Sequence, residues 1–564
     1  MAGYAIVNAS VRTLDEARPE AEAIAVRDGV IVAVGSVAEA REAAGSAEIV
    51  DAGGATVVPG LVDAHIHPFE PGMVMGADLT RCGNLADVQA ALEAERRRGG
   101  PDDWVLGWGV SYEAFRGSEI GASLIEDATA GAPAMITFMD QHTALANGRA
   151  LALAGVTGPV EFTEGAEVVV REGLPTGELR EGAAMGLVEA AMPAVTARER
   201  YVRIVETLRT LNACGVTGVH VMKGDPGTFD LARELEAAGD LTVRAIVPLW
   251  QQPETSFDEM RDQLRHVGER GRRWRGGAAK FFIDGVIDTG TGWLYAPDTQ
   301  GDGMEPFWPD PARYAEAVRM FAQAGFQCIT HATGERGVRA ALDAYLAAGA
   351  ADGVRHRIEH IETVTDADLA RFPRENVIAS MQPLHMQWRQ DDYSDSWAAR
   401  LGPERAARAW RTVDLLRAGA TLTLGSDWPV AQLDPRIGMA WARLRREPGA
   451  PDRRTFEPDQ RLSGLEALEG YTTGAVGDAG RGTRSRGVAP GVSFLAGWPL
   501  VRCRHHSGRS DPERTAGVRD GNARRGVSPV SGERGVRLRV LRRRPSARRL
   551  TPGHNRVRLF GGSP

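Results

Sequence analysis

Eight short runs rich in Val, Ile, Phe, Leu and Thr recur along the chain, and several of them end on a histidine, a lysine or an aspartate. They are VVPGLVDAHIHP with His65 and His67, VTGVHVM from Val216, LTVRAIVPL from Leu241, AAKFFID from Ala278 with Lys280, FQCIT from Phe326 before His331, HRIEHI from His356 with His360, VIASMQP from Val377, and ATLTLGS from Ala420 before Asp427. Runs of this length and content read as buried parallel strands. Between several of them lie stretches such as RYAEAVRMFAQAG, ERGVRAALDAYLAAG and ERAARAWRTVDLLRAG, with apolar residues at helical spacing and a glycine stop. Repeated strand and helix units predict an α/β fold of the (β/α)8 TIM-barrel type, whose active sites lie at the C-terminal strand ends. The polar residues sit at those ends.

Side chains two apart on a strand share a face, so His65 and His67 can reach one ion together. With His331, His360 and Asp427 they form a set of imidazole and carboxylate ligands suited to zinc and similar divalent ions. Lys280 stands out for a different reason: the chain has two lysines, Lys223 and Lys280, against sixty-five arginines. An ammonium offers no lone pair to a cation. A deprotonated amine can add carbon dioxide, however, and the two oxygens of the resulting carbamate can bridge two ions. Each residue has a plainer reading as well. Lys280 could pair with Asp284 or Asp288, His360 could be a satisfied core histidine, and Asp427 could cap the stretch that follows it. His220, His266, His356 and His385 read as non-ligands, and His505, His506 and His554 as incidental.

The segments PGLVDAHIHP, DQHTALANGRALALAG from Asp140, LPTGELRE from Leu174, KFFIDGVID from Lys280, HATGERGV from His331, RHRIEHIETV from Arg355, SMQPLHM from Ser380 and GSDWPV from Gly425 resemble, in order, those of the amidohydrolase superfamily. More narrowly, they are similar to the amidohydrolase 3 group that includes N-substituted formamide deformylases. The resemblance spans about residues 1 to 475. It implies a barrel with a small β-sandwich built from the chain ends and an insertion after the first barrel strand. It also implies metal positions at His65, His67, Lys280, His331, His360 and Asp427, and pocket positions at Trp108, His142, Glu181 and Gln382.

The expected cofactor is therefore a divalent metal, zinc by ligand type, as one or two ions. The expected chemistry is hydrolysis of a non-peptide C–N bond by metal-bound hydroxide, with Asp427 as the proton shuttle. The alternatives are a Lewis-acid isomerase or lyase on the same scaffold, or an inactive product of a damaged reading frame. Trp108, Trp293, Phe282 and Met386 hint at an apolar or aromatic substituent on the substrate.

A net charge of −7 gives no basis for nucleic-acid binding, and no apolar run approaches the length of a membrane span. The start lacks a basic region followed by an apolar core, so a cytoplasmic protein is expected. The expected partners are a small amide-like molecule and, at most, a second copy of the chain in a homodimer. Four cysteines, far apart and without a CxxC pair, indicate neither a disulfide framework nor a zinc ribbon.

Three divisions follow. Residues 1–57 read as short strands forming part of a sandwich. Residues 58–475 read as the barrel, interrupted from about 68 to 200 by the insertion that roofs the site. Residues 476–564 read as a sandwich remnant and an atypical tail. From Arg481 onward there are twenty arginines, no lysine and four acidic residues, a formal +16 against −23 for the rest. The reading favoured for this change is a shifted frame beginning between residues 475 and 500. A basic tail that binds a polyanion is the alternative.

Overall fold

Each of the eight runs forms a strand in the computed structural model, which describes residues 3–70, 74–100, 103–162 and 165–478. The sandwich remnant and tail expected beyond residue 478 lie outside the described residues. The strands are β1 (Leu61–Ile66), β2 (Val216–Val221), β3 (Arg244–Trp250), β4 (Trp274–Phe282), β5 (Gln327–Ala332), β6 (Arg357–His360), β7 (Ile378–Met381) and β8 (Thr421–Leu424). They pair in parallel and in sequence order in one eight-stranded sheet.

The sheet curls until its last strand meets its first. Just past β8, the Asp427 amide donates to the His65 carbonyl at 2.7 Å, and the Ser426 amide donates to Asp63 Oδ1 at 3.0 Å. Gly425 makes this approach possible, because a Cβ there would lie 2.5 Å from the His65 nitrogen.

Helices pack outside the strands through their apolar stripes. The helix Pro311–Gln323 starts at an Asp310 cap with proline at its first turn, and it buries Tyr314, Ala317, Val318 and Phe321. The Tyr314 hydroxyl meets Thr330 Oγ1 on β5 at 2.8 Å, so the polar end of that ring is satisfied where its body is buried. Each fully buried side chain of this size contributes about 1.5–3 kcal/mol of transfer free energy. Both faces of the strands are therefore covered, which accounts for runs that are apolar without alternation.

The insertion forms its own mixed six-stranded sheet from Ala77–Asp78, Val105–Val110, Ala134–Phe138, Thr143–Ala146, Glu167–Arg171 and Leu174–Arg180. Its first three strands pair in parallel and its last three antiparallel. Two smaller sheets come from the N-terminal segment. Tyr4–Val7, Ala23–Arg27, Val30–Gly35 and Glu48–Asp51 make one, and Ser10–Arg12, Glu20–Ala21 and Thr56–Val57 make the other. Ile6, Val11, Ile24, Val26 and Val57 pack together between them. Among the described residues no helix is long and apolar enough to cross a membrane.

Candidate metal centre

His65 and His67 leave the end of β1 and converge on Asp427, which follows β8. His65 Nε2 and His67 Nε2 each lie 3.3 Å from Asp427 Oδ1. Donor atoms of His65, His360 and Asp427 all fall within 4.8 Å of one another. The His360 ring adjoins those of His65, at 4.7 Å between centroids, and His331, at 4.4 Å. His360 and Asp427 hold left-handed backbone conformations, with φ of 68° and 57°, which is uncommon for residues other than glycine and is often found at functional sites.

Neighbouring acceptors fix which ring nitrogen is free. His65 Nδ1 lies 2.6 Å from Glu359 Oε2, and His67 Nδ1 lies 3.0 Å from Glu70 Oε2. Carboxylates only accept, so both Nδ1 atoms carry the proton and both Nε2 lone pairs face Asp427. His331 is reversed. Its Nε2 donates to the Gly285 carbonyl at 2.9 Å, which leaves Nδ1 as the free acceptor.

The protonation states suit a cation. Burial, reinforced by neighbouring histidines, holds His331 and His360 well below the ordinary imidazole range, so both are neutral. Burial opposes ionisation of Asp427, yet the neighbouring imidazoles of His65, His67 and His360 hold its carboxyl well below the usual range. Lys280 is fully buried, and its Nζ has no hydrogen-bond partner among the described residues. Burial brings its pKa down to about 8 against the opposing pull of Glu359 and Asp427. The salt-bridge alternative does not hold: Asp284 accepts from the Trp293, Thr333 and Gly334 amides, and Asp288 accepts from Ser396. Imidazoles, two of them held neutral, a carboxylate and an amine without a hydrogen-bond partner among the described residues together fit one or two divalent ions.

Above this cluster lies a cavity of about 330 Å³ lined by His65, His67, His331, His360 and Asp427. The insertion supplies its roof. His142 and Glu181 both line the cavity, and His142 Nδ1 donates to Glu181 Oε2 at 2.6 Å. Burial would lower the His142 pKa, but Glu181 and Asp140 raise it to about 9, so the ring is cationic at neutral pH.

Two expected pocket residues fall elsewhere. Trp108 is half-buried and does not line the cavity, because it sits two residues short of the end of its strand; Ser111 and Tyr112, just past that end, reach the cavity instead. Gln382, one residue past β7, is fully buried and is not among the residues that line the cavity. Of the four residues taken as hints of an aromatic substituent, only Phe282 lines the wall, where it is joined by Trp250, Phe307 and Trp388.

His385 is the residue that sequence reading passed over. It lines the cavity with Nε2 3.4 Å from Asp427 Oδ2 and Nδ1 3.7 Å from Glu362. Its place five residues past the start of SMQPLHM, on the turn leaving β7, was the available signal. His220, His266 and His356 stay outside the cluster, engaged by Arg357, Glu269 and the Gly349 carbonyl.

The sequence profile described as Amidohydrolase family matches residues 48–491. The chain belongs to the amidohydrolase family. This amidohydrolase is 30% identical to Protein LONG AFTER FAR-RED 3 of Arabidopsis thaliana, over 84% of this chain and 83% of that one. It is 28% identical to an N-substituted formamide deformylase of Arthrobacter pascens, over 86% and 91%. Its fold matches an uncharacterized metal-dependent hydrolase from Pyrococcus horikoshii OT3 with a TM-score of 0.65 at 23% identity, covering 85% of this chain and 93% of that one. The family and the donor set make it a metal-dependent hydrolase.

Proposed function

We propose that this amidohydrolase cleaves a non-peptide C–N bond in a small amide-like substrate, an N-substituted formamide or a close analogue. The observation that carries the reading is the convergence of His65 Nε2 and His67 Nε2 on one oxygen of Asp427, beneath a cavity closed by the insertion.

His65, His67, His331, His360 and Asp427 would hold the metal, which we take to be zinc, and Lys280 would join them as a carbamate. The amine adds carbon dioxide and releases one proton; a pKa of about 8 and a missing partner favour that step. When bound, the metal supplies Lewis acidity that lowers the pKa of water and polarises a carbonyl.

The chain's own residues do the rest. Asp427, ionised and facing the cavity, accepts the proton of the attacking water and returns it to the departing nitrogen. His142, clamped by Glu181, presents a cationic ring above the reaction zone and orients the substrate carbonyl. Trp250, Phe282, Phe307 and Trp388 receive the apolar part of the N-substituent.

The test is turnover of N-benzylformamide in ¹⁸O-labelled water, alongside metal content by plasma mass spectrometry. We expect one label per formate and about one to two divalent ions per chain, with the metal falling in Lys280→Ala. Asp427→Asn should lower kcat by roughly 10²–10⁴-fold. Product without label would move the reading to an isomerase or lyase, and folded protein without metal would end it.

A further inference from the structure

Lys223 is the second of the two lysines, and nothing in the proposed reaction uses it. It follows β2 and lines the same cavity. Its Nζ lies 3.1 Å from Glu70 Oε1 and 5.6 Å from the centre of the Trp250 ring. Trp250 is in turn the register partner of Lys280 between β3 and β4. Both lysines of an arginine-rich chain therefore border one site.

Glu70 divides its two oxygens. Oε2 accepts from His67 Nδ1 at 3.0 Å, and Oε1 takes Lys223 at 3.1 Å. We propose that Glu70 is a positioning residue that holds His67 with its Nε2 free for the metal, and that position 223 carries a lysine because an arginine there would disturb the arrangement. The inference rests on the metal-dependent hydrolase reading above.

The reason is geometric. An ammonium is a compact point charge that can sit on one oxygen of a carboxylate. A guanidinium presents parallel N–H groups that match both oxygens at once. At position 223 it would draw Oε2 as well as Oε1 toward its fork, competing with His67 Nδ1 for that oxygen and pulling it out of line with the ring. The imidazole would then be free to change tautomer or rotate, and Nε2 would no longer be reserved for a cation. Charge is thus conserved by Lys223→Arg while the hydrogen-bond pattern is lost. Lys223→Met does the opposite: it removes the charge but leaves Glu70 bonded to His67.

The experiment compares full-length wild type, Lys223→Arg, Lys223→Met, Glu70→Gln and His67→Ala. Zinc affinity is read by competition with a chromogenic chelator, the His67 tautomer by long-range ¹H–¹⁵N spectra of the apoprotein, and folding by thermal unfolding. The Lys223 side chain is half exposed, so its variants should fold. We expect Lys223→Arg and Glu70→Gln to weaken zinc by roughly 10–100-fold and to mix the His67 tautomers, with Lys223→Met closer to wild type. The inference is overturned if Lys223→Arg keeps wild-type affinity and tautomer, and equally if Lys223→Met weakens zinc as much as Lys223→Arg does, since charge rather than hydrogen-bond pattern would then matter. It is also overturned if Glu70→Gln changes neither. Should Lys223→Arg fail to fold, the Glu70→Gln spectrum decides. Wild type that binds no zinc, or a His67→Ala variant that binds it as tightly, would overturn the hydrolase reading itself, a distinct result from wild-type binding with unperturbed variants.

Discussion

Two sets of buried polar groups lie within reach of the same strand ends, and they are satisfied in opposite ways. Behind His65 the protein pairs its own charges. Arg357 and Glu359 share one face of β6; Arg357 donates to Glu359, to His220 Nδ1 and to the Ala64 carbonyl, and Glu359 accepts a hydrogen bond from His65 Nδ1. Around Asp427 the pattern reverses: Lys280 Nζ is buried with no hydrogen-bond partner among the described residues, and His385 Nε2 lies 3.4 Å from Asp427 Oδ2 without a hydrogen bond to it. A buried polar group left unmade normally costs about 1–3 kcal/mol. The first set therefore supports the fold, and on the proposed reading the second is the one that meets the metal.

The largest break should come from the paired set. Glu359→Ala leaves the fully buried Arg357 beside an empty space and takes the acceptor from His65. Removing one member of a buried pair costs about 3–5 kcal/mol. Urea unfolding of the apoprotein should show a loss of that size, and a loss below about 1 kcal/mol would mean the two sets do not differ.

Acid should reproduce part of that loss. Burial pushes the Glu359 carboxyl upward, but Arg357 and His65 bring it down to about 2 from an ordinary 4.5. A depressed carboxylate stabilises the fold above its unfolded pKa, and that contribution disappears as pH falls through the folded pKa. The stability of the apoprotein should therefore decline from about pH 4.5 toward 2, and Glu359→Gln should flatten this part of the profile. A profile as steep in the variant as in wild type would assign the decline to other carboxylates.

These two sets also mark how far the sequence could be read. All eight barrel strands were legible because strands buried on both faces are apolar without alternation. His65 and His67 were legible from their spacing, and Asp427 from its place after such a run. Glu359 was not, because it adjoins His360 in RIEHIE and only the alternation of β6 turns the two to different faces. Glu70 and Lys223 lie 153 positions apart, and nothing local says that two strand ends bring them together. That Trp108 does not line the cavity was not legible, because a resemblance places a segment without saying where along its strand the cavity begins. Gln382 does not line the cavity because the turn after β7 buries its first residue and brings His385 there instead.

A smaller break tests the seam that brings Asp427 to His65. Gly425→Ala would force a methyl group to within 2.5 Å of the His65 nitrogen. Overpacking of this kind costs about 1–3 kcal/mol, and it should separate Asp427 from His65, so that zinc affinity falls together with stability. Loss of stability with unchanged zinc affinity would show that the approach of β8 to β1 serves the barrel alone.

The smallest expected change in stability is the most telling. Lys280→Met replaces a buried amine that has no hydrogen-bond partner among the described residues with an apolar chain of similar length, and such replacements are often neutral or stabilising. The apoprotein should unfold within about 1 kcal/mol of wild type or slightly later, while its zinc content falls sharply. The pairing of a null effect on the fold with a loss of metal is what separates a group awaiting a ligand from one the protein has already satisfied. A cost of about 3 kcal/mol or more would place Lys280 with Arg357 and Glu359, as a member of a buried ion pair whose removal strands its partner. Carbamate formation would then compete with that pairing, and the two sets would be one network.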